Sequence, residues 1–241
     1  MKSILVADNR ADLLATLEPI LKHWGYRVLS TRRADQVVTF LKTSAPCLLI
    51  IGEEMLADPR LDIGSRIQAG ELPVIALRQK SAKPVDFVAD ETLDVPVELF
   101  GLFSFIQRKV ENHPRQNLRL RVQLPGMYSI DDKAFILAEL LSLSTQGLFF
   151  KAATRVNRGD CITVVFPLFG HCKEIEVKAK VLYAIQPEAA NNFFQGFGVA
   201  FDDVPDDHKG LLRHFIREHF LKEVSSRRDG VGGFAAEQIK K

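Results

Sequence analysis

The sequence has no long hydrophobic run, few cysteines and little net charge, and each shortage excludes a class of protein. No apolar segment reaches the roughly 18 residues needed to span a bilayer, so we expect no membrane insertion. The three cysteines, Cys47, Cys161 and Cys172, are odd in number and widely spaced, which favours buried thiols in the reducing cytoplasm over a disulfide framework. A formal net charge of +2 is too small to indicate DNA or a membrane surface as a bulk partner.

The sequence also lacks the residue patterns of an enzyme. A nucleophile paired with a base, a cluster of metal ligands and a glycine-rich nucleotide loop are all missing. His171 and Cys172 form only half of a metal site, and His214 and His219 are five residues apart, so they do not share one face of a helix. We therefore expect a protein that is not an enzyme and that uses no metal or other cofactor.

What the sequence does have is a length of 241 residues and a hydrophobic fraction of 46%, enough for two domains with cores of their own. Residues 1–112 alternate short apolar runs with amphipathic segments. Ile4–Ala7, Cys47–Ile51 and Pro73–Leu77 are typical of strands buried on both faces, while Leu13–Leu21 has the spacing of a helix. This alternation predicts an α/β domain with a doubly wound parallel sheet.

The order and spacing of these segments resemble the receiver domain of response regulators over residues 1–112, although the residues that receivers use are mostly replaced. Gly52 stands where the family has its phospho-accepting aspartate, and only Asp8 remains of the acidic pair that holds Mg²⁺. Without a carboxylate at position 52, no nucleophile can accept a phosphoryl group. We interpret Glu53 and Glu54 as solvated loop acids rather than substitutes. This half is therefore predicted to be a pseudo-receiver that mediates dimerisation or docks a protein partner.

Residues 113–224 have a different pattern. Pro114 ends the last helix of the first half, because proline disfavours helical backbone at the residue before it. From Leu118 to Leu124 apolar residues alternate with polar ones, so one face of a strand is buried and the other is cationic. Similar runs downstream predict a small closed antiparallel β-barrel, followed by an amphipathic C-terminal helix. The glycine- and charge-rich residues 225–241 are expected to form a disordered tail.

Two motifs lie at the start of this second half. Arg115 and Arg119 are four residues apart before the first strand, and Ser142, Ser144 and Gly147 follow further downstream. Guanidinium groups offer planar, forked donors that match phosphate oxygens and stack on guanine faces. Two serine hydroxyls on one side of a strand can bond a base edge or a phosphate. A glycine lets the backbone turn tightly and approach a ligand.

Together, the two motifs resemble the PilZ domain, the bacterial receptor module for cyclic di-GMP, over residues 115–222. The family carries Arg-x-x-x-Arg before its first barrel strand, which Arg115 and Arg119 match. It also carries Asp/Asn-x-Ser-x-x-Gly at a strand-to-strand turn, which Ser144 and Gly147 match. The resemblance implies that these residues bind cyclic di-GMP.

Two details of this match are left open. Ser142 stands where the family has Asp or Asn, and losing the bond of such a side chain to a guanine edge costs about 1.5–3 kcal/mol, or about ten- to a hundredfold in affinity. Moving the arginine pair by two residues would replace Arg115 and Arg119 with Asn117 and Arg121. We favour Arg115 and Arg119, because both positions are then arginine, and keep Arg121 as a reserve contact.

The resemblance implies a non-enzymatic, cytoplasmic cyclic di-GMP effector of bacterial signal transduction, in which a receiver-like domain precedes a PilZ domain. Its expected partners are cyclic di-GMP and either a second copy of the chain or another protein. The alternative is an adaptor whose PilZ-like domain no longer binds nucleotide. A DNA-binding regulator is disfavoured, because the second half has no recognition-helix pattern and the charge is nearly balanced.

Overall fold

The computed structural model describes residues 1–56, 58, 61, 72–79, 89–130, 133–168 and 173–233. The chain forms two compact units. Unit 1 comprises Met1–Gln116 together with Glu223–Lys241, and unit 2 comprises Asn117–Lys222. His171 and Cys172, the half metal site considered above, lie outside the described residues. Within the described residues, no helix is long and apolar enough to cross a membrane.

Unit 1 is built on a parallel sheet of five strands. The strands are β1 (Ser3–Ala7), β2 (Arg27–Thr31), β3 (Leu48–Gly52), β4 (Val74–Gln79) and β5 (Glu91–Val95), in the order β2-β1-β3-β4-β5. Every neighbouring pair is parallel. The helices that the structure describes in residues 1–112 are α1 (Ala11–His23), α2 (Ala34–Ser44), α3 (Glu53–Leu56) and α4 (Leu99–Val110). The predicted doubly wound parallel sheet is confirmed.

A hydrophobic core on each face of this sheet explains why its central strands are apolar throughout. Ile4 and Val6 of β1 pack into one core together with residues of α1 and α4, whereas Leu5 and Ala7 pack into the other beside α2. Successive side chains of a strand point to opposite faces, so a strand buried on both faces has no place for a polar residue. Leu48–Ile51 of β3 are accordingly fully buried.

Unit 2 is a closed antiparallel barrel, as predicted. Its strands are β6 (Leu120–Ile130), β7 (Ile136–Ser144), β8 (Gly147–Lys151), β9 (Cys161–Leu168), β10 (Lys173–Ile185) and β11 (Gly196–Phe201), in the order β10-β11-β8-β7-β6-β9. A short 3₁₀ helix, Ala189–Asn191, lies between β10 and β11. Large apolar side chains are fully buried in the barrel, among them Leu143, Phe150 and Phe197, as the interior of a small barrel requires.

The C-terminal helix is longer than the sequence predicted. Helix α5 spans Asp206–Gly233, and its buried stripe consists of Leu212, Phe215, Ile216 and Phe220. The helix continues past Ser225, where a disordered tail was expected. The residues just after Ser225 contain no glycine or proline that would weaken a helix, and the glycines begin only at Gly230. The remaining predicted tail, residues 234–241, lies outside the described residues.

Candidate functional site

A β-bulge near the start of β6 places an arginine beside the serine at the acidic position of the motif. In the pairing of β6 with β7, Leu120 lies opposite Leu143 and Arg121 opposite Ser142, and the register then shifts before Leu124. Leu120 and Leu143 are buried, so the next pair, Arg121 and Ser142, lies on the outer face of the barrel. The structure thus brings together the reserve arginine and Ser142.

The same row of residues continues across the barrel surface. Ser142 lies opposite Phe149 of β8, Phe149 opposite Gly198 of β11, and Gly198 opposite Tyr183 of β10. We call Arg121, Ser142, Phe149, Gly198 and Tyr183 the outer row. Directly opposed residues have Cβ atoms about 4.5–5.5 Å apart. The outer row is therefore one continuous strip with a cationic end and an aromatic end.

The turn from Ser144 to Gly147 is held together from within. The Ser144 hydroxyl donates to the Gly147 carbonyl oxygen at 3.0 Å and accepts from the Gln146 backbone N–H at 3.4 Å. Ser144 is only 6% exposed. A Cβ atom on Gly147 would run into the carbonyl oxygen of Val199 in β11. Both residues of the predicted site therefore have roles in folding the barrel, besides the ligand role that the motif implies.

Asn117 connects the segment just before β6 to this turn. We call this segment, Asn117–Arg119, the lead-in. Its side-chain N–H donates to Gln146 Oε1 at 2.8 Å, and its side-chain oxygen accepts from the Thr145 hydroxyl at 3.4 Å. Leu118, the next residue, is buried. The lead-in thus lies against the serine–glycine turn, although the two are far apart in sequence. The motif spacing placed both segments in one site, but it did not identify the role of Asn117.

Both predicted ligand arginines are exposed. Arg119 directly precedes β6 in unit 2. In unit 1, the backbone N–H of Arg115 donates to the side-chain oxygen of Gln107 at 2.8 Å. Gln107 belongs to α4 and is 8% exposed. This bond fixes the backbone at the first arginine of the motif and leaves the guanidinium group exposed. Gln107 was not predicted from the sequence. The signal that could have indicated its role was a polar residue within the apolar stripe of a helix.

Gln107 is one end of a hydrogen-bond chain within unit 1. Its side-chain N–H donates to the Tyr26 hydroxyl at 3.5 Å, the Tyr26 hydroxyl donates to the Glu111 carboxylate at 2.8 Å, and the Lys2 ammonium group donates to that carboxylate at 2.9 Å. The bonds from Lys2 and Tyr26 lower the pKa of Glu111 below its ordinary value. Burial, and then the bond to Glu111, raise the pKa of Tyr26. The end of α4 is thus tied to the N-terminal segment.

The position in unit 1 at which the resemblance to receiver domains predicts a phospho-accepting aspartate is filled. Asp8 is 1% exposed, and the Arg10 guanidinium group donates to it twice, from Nε at 2.8 Å and from Nη2 at 2.6 Å. These bonds raise the pKa of Arg10. A Cβ atom on Gly52 would lie 2.5 Å from the Asp8 Oδ2 atom. The Asp8 carboxylate therefore occupies the space that an aspartate at position 52 would need, and Arg10 neutralises its charge.

The two acids after Gly52 differ from each other. Glu53 begins α3 and is 8% exposed, so its interpretation as a solvated loop acid is wrong. The chain turns directly from β3 into α3, and this turn directs residue 53 into the protein. Glu54 is exposed, but it also belongs to α3 rather than to a loop. The described residues contain no group of three or more His, Cys, Asp or Glu side chains that could hold a metal ion.

Residues 113–218 match the family model of the PilZ domain. Among solved structures, the chain is similar to the PilZ domain with c-di-GMP of YcgR from Escherichia coli, at 14% identity over 48% of this chain and 97% of that one, with a TM-score of 0.39. It is also similar to the Bacillus subtilis inhibitor of motility MotI/DgrA, at 14% identity over 45% of this chain and a TM-score of 0.40, and it spans about half (52%) of that chain.

The chain is further similar to a signal receiver domain of an HD domain-containing protein from Pseudomonas fluorescens, at 18% identity, over 46% of this chain and 94% of that one, with a TM-score of 0.40. No curated protein matches the sequence. The family match confirms the PilZ domain that the two motifs predicted, and the parallel sheet of unit 1 agrees with the receiver-like fold predicted for the first half.

Proposed function

We propose that the protein is a non-enzymatic effector of bacterial signalling that binds cyclic di-GMP through its PilZ domain. The observation that carries this proposal is the family match at residues 113–218, which includes every residue of both motifs. Arg115, Arg119, Ser142, Ser144 and Gly147 are the ligand residues that the match implies. Arg121 joins them as a reserve contact, because it lies opposite Ser142 on the outer face.

The exposed side chains suit a ligand with two phosphates and two purine bases. Guanidinium groups bind phosphate oxygens in a forked geometry and also stack on guanine. Three arginines that lie close together in the sequence, Arg115, Arg119 and Arg121, are exposed and can supply such contacts. The hydroxyl of Ser142 can bond a base edge, although it has a shorter reach than the Asp or Asn of the family. We therefore expect binding that is weaker than in a receptor with the acidic residue.

The second candidate function is an adaptor whose PilZ domain binds no nucleotide. The geometry of the turn favours it, because the Ser144 hydroxyl already bonds Gly147 and Gln146. Gly147 is required by the close approach of β11. Part of the motif is thus explained without a ligand, which leaves the arginines and Ser142 as the residues that distinguish the two functions.

In this proposal, unit 1 provides a surface for dimerisation or for docking a protein partner. The filled site around Asp8 and Arg10 supports such a role, since a receiver-like unit without a phosphoryl acceptor cannot respond to phosphorylation. The measurement is the molar mass of the full chain in solution by light scattering, with and without cyclic di-GMP. A molar mass of one chain under both conditions would exclude dimerisation. Docking of another protein would then be the remaining role for unit 1.

Isothermal titration calorimetry of the full chain with cyclic di-GMP tests the ligand assignment. We expect binding in the micromolar range that the variant Arg115→Ala/Arg119→Ala loses. The matched control is Arg155→Ala/Arg158→Ala, which removes two exposed arginines from the segment between β8 and β9 and should bind as the wild type does. If hundreds of micromolar ligand give no heat and no competition, the adaptor function replaces the receptor function.

A further inference from the structure

Three aromatic rings lie together at one end of the outer row. The rings of Phe149 and Tyr183 have their centroids 6.1 Å apart with planes at 29°, and those of Phe149 and Phe194 are 6.0 Å apart with planes at 9°. We call Phe149, Tyr183 and Phe194 the aromatic tier. Tyr183 is 41% exposed, and Phe149 and Phe194 are half-buried. The Phe149 and Phe194 rings are thus nearly parallel, the Tyr183 ring is tilted by 29° from Phe149, and all three rings are at least partly exposed.

Glycines of β11 form the floor on which two of these rings lie. A Cβ atom on Gly198 would come within 2.5 Å of the Tyr183 ring, and one on Gly196 within 2.7 Å of the Phe149 ring. Contacts this close are possible only because both positions lack a side chain. The Tyr183 and Phe149 rings therefore pack against the backbone of β11 at these two glycines, and both rings are at least partly exposed. A partly exposed aromatic ring is a group on which a planar base can stack.

The segment that carries Phe194 has an unusual backbone. Asn192 and Phe193, the two residues before Phe194, have φ angles of 54° and 56°, in the left-handed region that residues other than glycine seldom adopt. Backbone strain of this kind tends to persist where it serves a site. Phe194 also lines an open groove of about 980 Å³, together with Lys151. Of the aromatic tier, Phe194 alone is among the residues that line this groove, so the open space adjoins the Phe194 end of the tier.

The register connects the aromatic tier to the predicted ligand residues. Phe149 lies directly opposite Ser142, and Ser142 lies directly opposite Arg121. A base that stacks on Phe149 would have the Ser142 hydroxyl near one edge, with the Arg121 guanidinium group one strand further along. Stacking face, edge contact and phosphate contact then follow one another across three neighbouring strands of unit 2.

We propose that the aromatic tier is a stacking surface for a guanine base of cyclic di-GMP. This inference rests on the proposed function and adds Phe149, Tyr183 and Phe194 to its ligand residues. Stacking on an aromatic ring tolerates any base, so it adds affinity to the weaker edge contact that the Ser142 hydroxyl makes in place of an Asp or Asn. It follows that the protein discriminates poorly between cyclic di-GMP and cyclic di-AMP, with affinities within about tenfold of each other, a ratio equal to about 1.4 kcal/mol.

Calorimetry of ring-removing variants of the full chain tests the aromatic tier. Phe149→Leu and Tyr183→Leu should each weaken binding of cyclic di-GMP by about tenfold or more, in line with the loss of one stacking contact. Tyr183→Phe keeps the ring and should bind within about twofold of the wild type. The matched control is Phe135→Leu, because Phe135 is 48% exposed and belongs neither to the outer row nor to the residues that line the groove. It too should bind within about twofold.

A spectroscopic readout separates stacking from a loss of folding. In a Trp24→Phe background, Tyr183→Trp places the single tryptophan of the chain in the aromatic tier. Cyclic di-GMP should quench its emission at the concentrations that calorimetry gives for binding. If the wild type binds and neither quenching nor the tenfold loss is seen, the stacking surface is refuted and the receptor function stands. If the wild type does not bind cyclic di-GMP, the receptor function and the stacking surface fall together.

Discussion

Each half of the molecule departs at one position from the motif that its sequence resembles, and the structural surroundings of the two positions differ. In unit 1, Gly52 stands where the resemblance to receivers predicts the phospho-acceptor, and the Asp8 carboxylate fills the space beside it with Arg10 as its counter-charge. In unit 2, Ser142 replaces the Asp or Asn, and it remains half-buried on the outer face opposite Arg121. A lost side chain can be restored only where its neighbours have not moved into its place.

The largest expected effect is from restoring the aspartate in unit 1. Gly52→Asp would place a Cβ atom 2.5 Å from Asp8 Oδ2 and a second carboxylate beside a buried one. We expect a loss of about 3 kcal/mol in the free energy of unfolding, measured by urea denaturation. We also expect no phosphorylation by acetyl phosphate in the presence of Mg²⁺, because Arg10 still pairs with Asp8.

The control for this change is Gly210→Asp, since a Cβ atom on Gly210 meets nothing within 4 Å. Its free energy of unfolding should stay within about 0.5 kcal/mol of the wild type. A Gly52→Asp variant that is stable and takes up a phosphoryl group would contradict the view that the site is filled.

Restoring the acidic residue in unit 2 should have the opposite result. Ser142→Asp adds a carboxylate on the open outer face, where it can accept from a guanine edge. We expect affinity for cyclic di-GMP to rise about ten- to a hundredfold, and cyclic di-AMP to gain less, because the new bond reads the edge of the base. Calorimetry with both nucleotides measures this. Ser142→Ala is the partner variant, and equal affinities for Ser142→Asp and Ser142→Ala would count against a base edge at this position.

A smaller effect is expected from the Gln107 side chain, which holds the backbone of Arg115 at 2.8 Å. Gln107→Met keeps the length of the side chain and removes the acceptor. A hydrogen bond of this kind contributes about 1 kcal/mol, so we expect affinity for cyclic di-GMP to fall about fivefold. Arg108→Met, an exposed neighbour on the same helix, is the control and should bind as the wild type does. Unchanged binding in both variants would show that the anchored backbone does not matter to the ligand.

Sequence patterns predicted the fold of both halves because burial imposes a periodic pattern of apolar residues on strands and helices. The uniformly apolar Leu48–Ile51 indicated a strand covered on both faces, and the alternation after Leu118 indicated one with a single buried face. The filled site in unit 1 has no such pattern in the sequence. Arg10 is only two residues from Asp8, but the space that Asp8 fills depends on the packing of β1 against β3.

The outer row was beyond sequence reasoning for a similar reason. Its members come from five strands, and β-bulges in β6, β7 and β10 shift the register among them. Without those shifts, a period of two would pair the wrong residues. The motif residues Ser142, Ser144 and Gly147 could be recognised in the sequence. That Phe149 and Tyr183 lie in the same row as Ser142 follows only from the strand register, and their packing follows from the glycines of β11.

The smallest expected effect concerns Glu111, whose pKa is lowered from its ordinary 4.5 by the bonds from Lys2 and Tyr26. A carboxylate with a lowered pKa in the folded state stabilises the fold above its unfolded pKa, and this contribution disappears as the pH falls through the lowered value. We therefore expect Glu111→Gln to be about 0.5 kcal/mol less stable than the wild type at pH 7, with the gap closing under acid conditions. Urea midpoints of both proteins at pH 7 and about pH 3 measure the gap, and shared titrations cancel in the difference. A gap that stays constant with pH would mean that Glu111 acts through packing rather than charge, and the chain from Lys2 to Gln107 would then lack its electrostatic anchor.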